Sequence, residues 1–338
     1  MEKEIKLKPV FGAIHEVTEE VLKFAKQLGV SGIIVHSPKL FGNGYWEFNS
    51  LLHLRTRVEA AGLKLEAIEN LPWHFYYKVM LGLSGRDEQI ENWCKTLRNM
   101  GAAGIPILGY HFVPLFVWRT SLDTRGRGGA RVTSFDMELA KNAPLMARAF
   151  SFVDTTSLLP PSAYHPISEE EMWENFTYFL KAVIPVAEEA GVKMALHPDD
   201  PPVPSLGGVA RIMRSVDAFK RVIEIVPSDY NGLEFCQGCF SEMGTNVIEA
   251  IRYFGSRKKI FYVHFRDVRG TAGNFVETFI DEGQTDMFEA MKAYKEVGFD
   301  GPIIVDHTPH IVDDSTWGHR GRAYAMGYIK ALIQAVES

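Results

Sequence analysis

The stretch that decides the fold is EEAGVKMALHPDD, residues 188–200. It has the pattern of a helix end, a glycine that caps the helix, a short apolar strand, and polar residues where the strand ends. Such units are typical of proteins in which each helix packs on a parallel sheet. The order helix, glycine, strand recurs in four other stretches: KQLGVSGIIV (26–35), EAAGLKLEAI (59–68), NMGAAGIPIL (99–108) and KEVGFDGPIIV (295–305).

Eight apolar runs, with helical patterns between them, predict an α/β protein of the (β/α)8 TIM-barrel type. A doubly wound sheet is disfavoured, because it usually has a glycine-rich dinucleotide turn after its first strand, and PVFGAIHE (9–16) has none. We expect residues 1–338 to form this single domain. The predicted strands are Lys8–Gly12, Gly32–His36, Lys64–Glu69, Ile105–Tyr110, Lys193–His197, Asn231–Phe235, Ile260–Phe265 and Pro302–Asp306.

The composition excludes several classes of function. The chain of 338 residues is 46% hydrophobic and 23% charged, which is ordinary for a globular protein. Its net charge of −6 gives no basic field for nucleic acid. No run approaches the roughly 20 apolar residues of a membrane span. The three cysteines, Cys94, Cys236 and Cys239, form no disulfide framework, so we expect a cytoplasmic protein without a nucleic-acid or membrane partner.

One interval, residues 112–166, interrupts the alternation of helices and strands. It contains few apolar runs, and we interpret it as a long loop inserted after the fourth strand, where it would serve as a lid or a subunit contact. Its arginines Arg125, Arg127 and Arg131 leave two interpretations, a surface loop or a contact with phosphate or nucleic acid. The acidic net charge of the chain favours the surface loop.

Metal-ligand residue types collect at the ends of four consecutive predicted strands. In a (β/α)8 barrel the active site lies at the C-terminal strand ends. Here strands five to eight end at or run into His197, Cys236, His264 and Asp306. Imidazole and thiolate ligands favour Mn, Fe, Co or Zn over Mg or Ca. The sequence therefore predicts a divalent transition-metal centre at this rim.

Two polar motifs adjoin these residues. Cys236 and Cys239 form a C-x-x-C, but a zinc ribbon would need a second cysteine pair. A thioredoxin-like redox pair stays an alternative, and we expect Cys236 to bind the metal and Cys239 to pack. Behind His197, prolines stiffen the chain, and we expect Asp199 and Asp200 to hold this loop or to orient a ligand histidine.

Several stretches resemble the mannonate dehydratases and, more broadly, the xylose-isomerase-like barrels. The resemblance covers most of the chain between about residue 60 and residue 310. It implies manganese- or iron-dependent dehydration of D-mannonate to 2-keto-3-deoxy-D-gluconate, a hydro-lyase step of hexuronate breakdown, in a homo-oligomer. The stretches are EAIENLPWHFYYK (66–78), WCKTLRNMGAAGIPIL (93–108), VPLFVWRT (113–120), ALHPDDPPVPSLGGVARI (195–212), EFCQGCFSEMG (234–244), VHFRDV (263–268) and IVDH (304–307).

The resemblance also implies the roles of individual residues. The family's catalytic histidine falls on His307, which would act as base on the C2 proton or as acid toward the C3 hydroxyl. The family places the other acid–base group on a tyrosine in a Pro-Gly-Tyr context; here an ungapped alignment gives Ala323, and Tyr324 is the candidate beside it. The family's four metal ligands fall on the strand-end residues His197, Cys236, His264 and Asp306.

Four further residues are candidates for substrate binding. Glu69, His74 and Lys78 match family positions at and after strand three, with a salt-linked structural loop as the alternative. Arg119, in the insertion, is a candidate to clamp the substrate carboxylate through its planar guanidinium.

Three alternative functions stay open at this point. A sugar isomerase or epimerase of the xylose-isomerase-like type typically has glutamate and aspartate ligands, whereas strand six here supplies Cys236. The first strand lacks the Arg-Trp of the resembled family, which leaves a different aldonate open as substrate. A non-catalytic metal or sugar-acid sensor would have no need of His307 beside Asp306.

Overall fold

The predicted strands form one parallel sheet that curves into a barrel in the computed structural model, which describes residues 7–114, 117–141 and 166–338. The first strand, β1, is interrupted at one residue and is therefore given as two segments. The strands are β1 (Lys8–Pro9 and Phe11–Ile14), β2 (Gly32–His36), β3 (Lys64–Glu69), β4 (Ile107–Tyr110), β5 (Lys193–Leu196), β6 (Asn231–Cys236), β7 (Ile260–His264) and β8 (Pro302–Ile304).

The two segments of β1 close the barrel. Lys8–Pro9 pairs with β8, whereas Phe11–Ile14 pairs with β2, so both edges of the sheet meet in one strand. Between the two segments, the Val10 amide donates to the Ile303 carbonyl oxygen at 2.9 Å. The predicted TIM-barrel class is thus confirmed, and the C-terminal ends of all eight strands face the same rim.

Helices cover the outside of the barrel, and apolar side chains fill both its wall and its interior. A capping box, with Ser168 and Glu171 bonded reciprocally, begins the helix Glu169–Ala190. Among the described residues, no helix combines the length and apolar character needed to cross a membrane. The helices are α1 (Glu19–Gln27), α2 (Phe48–Ala60), α3 (Tyr77–Met80), α4 (Arg86–Ala102), α5 (Met137–Ala140), α6 (Glu169–Ala190), α7 (Val216–Ile225), α8 (Gln237–Glu242), α9 (Val247–Ser256), α10 (Met287–Glu296) and α11 (His319–Glu337).

A second, antiparallel sheet lies at the C-terminal rim, and we call it the rim sheet. Residues 112–166 were predicted to form a long loop, but two strands of the rim sheet lie within this interval. Residues 115–116 and 142–165 lie outside the described parts. Val132 and Phe135, on the second strand of the insertion, are buried. The Phe135 ring packs against the ring of Phe275 on the neighbouring strand. The strands of the rim sheet are Ser121–Arg125, Arg131–Asp136, Val268–Thr271 and Asn274–Glu277.

The arginines of the insertion pair with acidic groups at the surface. Arg125 bonds Asp123 at 3.2 Å, and Arg127 makes two bonds to Asp281 at 2.9 and 3.1 Å. The backbone of Arg131 exchanges hydrogen bonds with His310. These contacts agree with the surface-loop interpretation, since the charges of Arg125 and Arg127 are balanced within the chain.

Candidate active site

The four predicted metal-ligand residues converge at the C-terminal rim. Cys236 and His264 are direct neighbours in the register of β6 and β7, and His264 in turn lies beside the end of β8, which leads to Asp306. One ligand atom each of Cys236, His264 and Asp306 lies within 4.8 Å of the others. His197, which follows β5, is grouped in the same way with Cys236 and Cys239. All four predicted ligands are buried.

The cluster fits a divalent transition metal. His264 Nδ1 is buried, has no hydrogen-bond partner, and lies 3.4 Å from Asp306 Oδ2. A buried nitrogen without a hydrogen-bond partner costs folding free energy unless a bound ligand contacts it. Burial alone would raise the pKa of the Cys236 thiol, but a hydrogen bond with Cys239 and the charges of Arg266 and His197 hold that pKa well below its ordinary value. The cluster thus offers thiolate, imidazole and carboxylate together.

The side chains of His197 and Asp306 are each held by a neighbouring group. His197 Nδ1 lies 2.6 Å from the Pro198 carbonyl oxygen, so Nδ1 donates its proton there and Nε2 is the ring nitrogen left to bind a metal. Asp306 Oδ2 accepts from Arg266 Nε at 2.8 Å. Such outer contacts orient metal ligands and strengthen binding. The local structure therefore presents these side chains in one arrangement.

Cys239 is fully buried, as expected of a packed side chain, but its sulfur also contacts polar groups. Its sulfur accepts from Arg266 Nη2 at 3.3 Å and belongs to the ligand-distance group of His197 and Cys236. Cys236 is the last residue of β6, and α8 begins at the next residue, so Cys239 lies in the first turn of that helix. This turn brings both sulfurs to the same side.

The side chain of Glu69 is buried inside the barrel, whereas a residue that binds substrate hydroxyls would be exposed at the rim. It is 2% exposed, and its Oε2 lies 3.1 Å from His264 Nε2 while its Oε1 lies 3.4 Å from His36 Nε2. Its carboxylate thus contacts two histidines, one of them a predicted metal ligand, and a substrate-binding role of Glu69 stays a prediction. A carboxylate behind a ligand histidine raises the basicity of the imidazole and fixes its orientation.

Sequence reasoning missed Glu234, which lies two residues before Cys236 on the same face of β6. It is fully buried, and its Oε1 lies 2.9 Å from His264 Nε2. Burial, together with the negative charge of Glu69, raises the pKa of Glu234 to about 7. The alternation of a strand could have found it, because residues i and i+2 share a face.

We expect Glu69→Gln to weaken Mn²⁺ binding by about tenfold, because loss of an outer-shell partner typically costs 10–100-fold in metal affinity. We expect the smaller loss of affinity because Glu234, which contacts the same nitrogen of His264, can still hold the ring when the charge of Glu69 is removed. In the double variant Glu69→Gln/Glu234→Gln the loss should reach about 100-fold. Titration calorimetry with Mn²⁺ measures both. Glu66→Gln is the matched control, because Glu66 lies on the same strand but pairs with Lys64; equal affinity in all variants would contradict the assignment.

His307 follows Asp306 directly and is partly buried. Its Nδ1 lies 2.6 Å from Glu277 Oε1. Burial alone would lower the pKa of His307, but the carboxylates of Asp306 and Glu277 raise it above the ordinary value. The candidate catalytic histidine is thus adjacent to the metal-ligand cluster.

Arg119 is not placed to clamp a substrate carboxylate, and this expectation is corrected. Its side chain is fully buried, and all five of its N–H groups donate within the protein. The acceptors are both carboxylate oxygens of Asp200, Glu277 Oε1, Thr133 Oγ1 and the Trp118 carbonyl oxygen. No donor of this fork is left for a ligand.

The two aspartates behind His197 hold the loop, as predicted. Asp199 Oδ2 accepts from the Met213 amide at 2.7 Å. Asp200 bonds Arg119 and Arg266, and its Oδ2 lies 2.8 Å from each guanidinium. Both carboxylates are therefore committed to contacts within the protein.

The remaining candidates lie farther out. His74 is exposed and Lys78 is partly buried, and in the described parts of the chain no hydrogen bond or ion pair connects either side chain to the ligand cluster. Tyr324, on α11, is 43% exposed, and its hydroxyl lies 3.4 Å from Arg127 Nη2. Tyr324 and His307 line the same crevice. The acid–base role of Tyr324 and the substrate contacts of His74 and Lys78 stay predictions.

Comparison with known proteins agrees with this geometry. A family model described as D-mannonate dehydratase (UxuA) matches residues 10–338. The mannonate dehydratase of Thermotoga maritima is 34% identical over 352 residues, which cover 97% of this chain and 96% of that protein. The crystal structure of the mannonate dehydratase of Streptococcus suis serotype 2 superimposes with a TM-score of 0.86 at 31% identity, and covers 98% of this chain and 95% of that one.

More distant structures share the fold alone. A structure of L-ribulose 3-epimerase matches with a TM-score of 0.60 at 14% identity, and covers 98% of this chain and 96% of the other. The family match and the identity to curated relatives both extend over nearly the whole chain. The chain therefore belongs to the D-mannonate dehydratase family.

Proposed function

We propose that this protein is a hydro-lyase that converts D-mannonate to 2-keto-3-deoxy-D-gluconate and water. The observation that carries the proposal is the placement of His307 beside a buried cluster of four metal-ligand side chains at the barrel rim. Family membership supports the same reaction.

We assign His197, Cys236, His264 and Asp306 as the residues that hold a divalent cation, Mn²⁺ or Fe²⁺. The C2 proton of an aldonate is poorly acidic, because the neighbouring carboxylate already carries negative charge. When bound, the cation supplies positive charge that offsets the charge built up as this proton leaves.

The protein itself supplies proton transfer. His307 either accepts the C2 proton or protonates the departing C3 hydroxyl, and the enol product then tautomerises to the keto acid. Tyr324 is our candidate for the other half of this exchange. In this role its hydroxyl would exchange its contact with Arg127, at 3.4 Å, for one with the substrate.

The first test is turnover of D-mannonate by the manganese-loaded enzyme, followed as formation of a 2-keto-3-deoxy acid. We expect activity that a chelator removes and that Mn²⁺ or Fe²⁺ restores, because the cation offsets charge in the transition state. D-gluconate, which differs at C2, is the matched control substrate. One tightly bound metal per chain together with no keto acid from D-mannonate would contradict the proposed substrate.

The same assay separates the other functions. An isomerase or epimerase would convert a sugar without loss of water, and a dehydratase of another aldonate would act on that acid and not on D-mannonate. The thiolate of Cys236 at the end of β6 favours the dehydratase, because isomerases of this barrel type typically use carboxylate ligands. The shared barrel of L-ribulose 3-epimerase does not decide between them, since it reflects the fold alone.

We further expect a cytoplasmic homo-oligomer. All three cysteines are free thiols in the structure, as a reducing compartment requires. Light scattering of the purified protein would give the number of subunits.

A further inference from the structure

We propose that the rim sheet acts as a support that orients His307 through Glu277. This inference rests on the proposed function, in which His307 exchanges a proton with the substrate. It gives a role to the insertion after β4, which lies outside the barrel itself. Glu277 is here a positioning residue, because it acts through His307 and not on the substrate.

The contact between Glu277 and His307 is short and charge-assisted. Glu277 Oε1 lies 2.6 Å from His307 Nδ1, and Glu277 is 6% exposed. A carboxylate accepts and never donates in its ionised form, so His307 carries its proton on Nδ1. When the imidazole is neutral, its lone pair then resides on Nε2, which makes Nε2 the nitrogen that accepts a proton.

Glu277 is itself held by the insertion. Arg119 Nη2 donates to the same oxygen, Oε1, at 2.6 Å, and Arg119 Nε donates to Thr133 Oγ1 at 3.1 Å. Thr133 lies on the strand Arg131–Asp136, which pairs with the strand Asn274–Glu277. A chain of hydrogen bonds therefore runs from Thr133 through Arg119 and Glu277 to His307.

Phe275 adds a packing contact to this support. It lies two residues before Glu277, and the Arg119 guanidinium carbon lies 5.0 Å from its ring centre. Its ring also packs on Phe135 of the paired strand. Because every N–H of Arg119 is bonded and its face is covered, the arginine has one position, and so does the carboxylate that it holds.

Two substitutions at Glu277 separate the effect of its negative charge from the effect of its hydrogen bond to His307. In Glu277→Gln, the amide oxygen can replace Oε1 and accept from both Arg119 and His307, so the Nδ1–H form persists. In Glu277→Ala both hydrogen bonds are lost. We expect kcat on D-mannonate to fall about tenfold in the first and about 100-fold in the second, with KM within about threefold and one metal retained per chain. Glu282→Gln is the control, since Glu282 pairs with Arg127 and Arg269.

A direct readout does not depend on turnover. In the zinc-loaded protein labelled with ¹⁵N-histidine, the signal of His307 is identified by its loss in His307→Asn, and its shifts report which ring nitrogen carries the proton. At a pH above the pKa of His307, where the ring is neutral, we expect the Nδ1–H form in the wild type and in Glu277→Gln, and loss of this preference in Glu277→Ala.

The outcomes are distinct. An Nε2–H form in the wild type overturns the proposal even if Glu277→Ala fails to fold. Unchanged kcat in folded, metal-loaded Glu277→Ala also overturns it, since Glu277 would then serve stability only. If the wild type does not dehydrate D-mannonate, the proposed function fails, but the NMR measurement still decides whether Glu277 orients His307.

Discussion

His307→Ala is expected to bind its metal normally and to lose D-mannonate turnover by a factor of about 10³, within the 10²–10⁴ range of a general acid or base. The Nδ1 hydrogen bond of His307 goes to Glu277, and its Nε2 lies 3.7 Å from Asp306 Oδ1, which is beyond hydrogen-bond distance. Removing it should therefore spare the metal centre. Metal content by elemental analysis and keto-acid formation measure the two properties on the same sample.

His310→Ala is the matched control for this variant. His310 lies three residues farther along the same loop, and its backbone, which the substitution leaves in place, exchanges hydrogen bonds with Arg131. We expect the control to keep the wild-type rate. If His307→Ala turned over D-mannonate as fast as His310→Ala, His307 would have no catalytic role. If the wild type bound metal and sugar acid without any turnover, the sensor function would replace the enzyme.

Arg266→Met is expected to lower the free energy of unfolding by about 3–5 kcal/mol, the usual cost of removing one partner from a buried ion cluster. Arg266 is 3% exposed and lies within hydrogen-bond distance of three carboxylates, those of Asp306, Asp200 and Glu242. Methionine has a similar volume but no charge, so these carboxylates would remain buried without their common partner. Urea unfolding of the metal-free protein measures the loss.

Arg252→Met is the surface counterpart. Arg252 also bonds two carboxylates, Glu249 and Glu296, but it does so in contact with water, and we expect a far smaller loss. Arg266→Lys should recover only part of the stability, since an ammonium group lacks the fork that reaches several acceptors. Equal unfolding curves for Arg266→Met and Arg252→Met would show that the buried cluster does not depend on Arg266.

The barrel could be predicted from the sequence because its strands are buried on both faces. Such strands are continuous apolar runs, and a glycine at the end of the preceding helix marks the start of five of the eight. The fourth strand begins at Ile107, two residues later than predicted, since Pro106 has no N–H for the ladder. The rim sheet was missed, because Ser121–Arg125 is mostly exposed and polar and has no apolar pattern to detect.

The ligand cluster could also be predicted, but the groups around it could not. His197, Cys236, His264 and Asp306 stand at strand ends, and a shared rim follows from topology alone. The partners Arg266 and Glu277 come from loops and from the rim sheet, whose positions depend on tertiary packing. Arg119 has the fork expected of a carboxylate clamp, but nothing in the local sequence shows that the protein's own acids already occupy it.

The four ligands of the candidate metal centre all lie at the ends of the last four strands, β5 to β8, or within two residues after them. A ribosome therefore completes more than half of the barrel before the first of them, His197, is synthesised. The contact between Glu69 and His264 spans 195 residues, so the outer support of the centre forms only when the two halves of the barrel close on each other. We therefore expect capture of a cation at this site to be a late event in the folding of the chain.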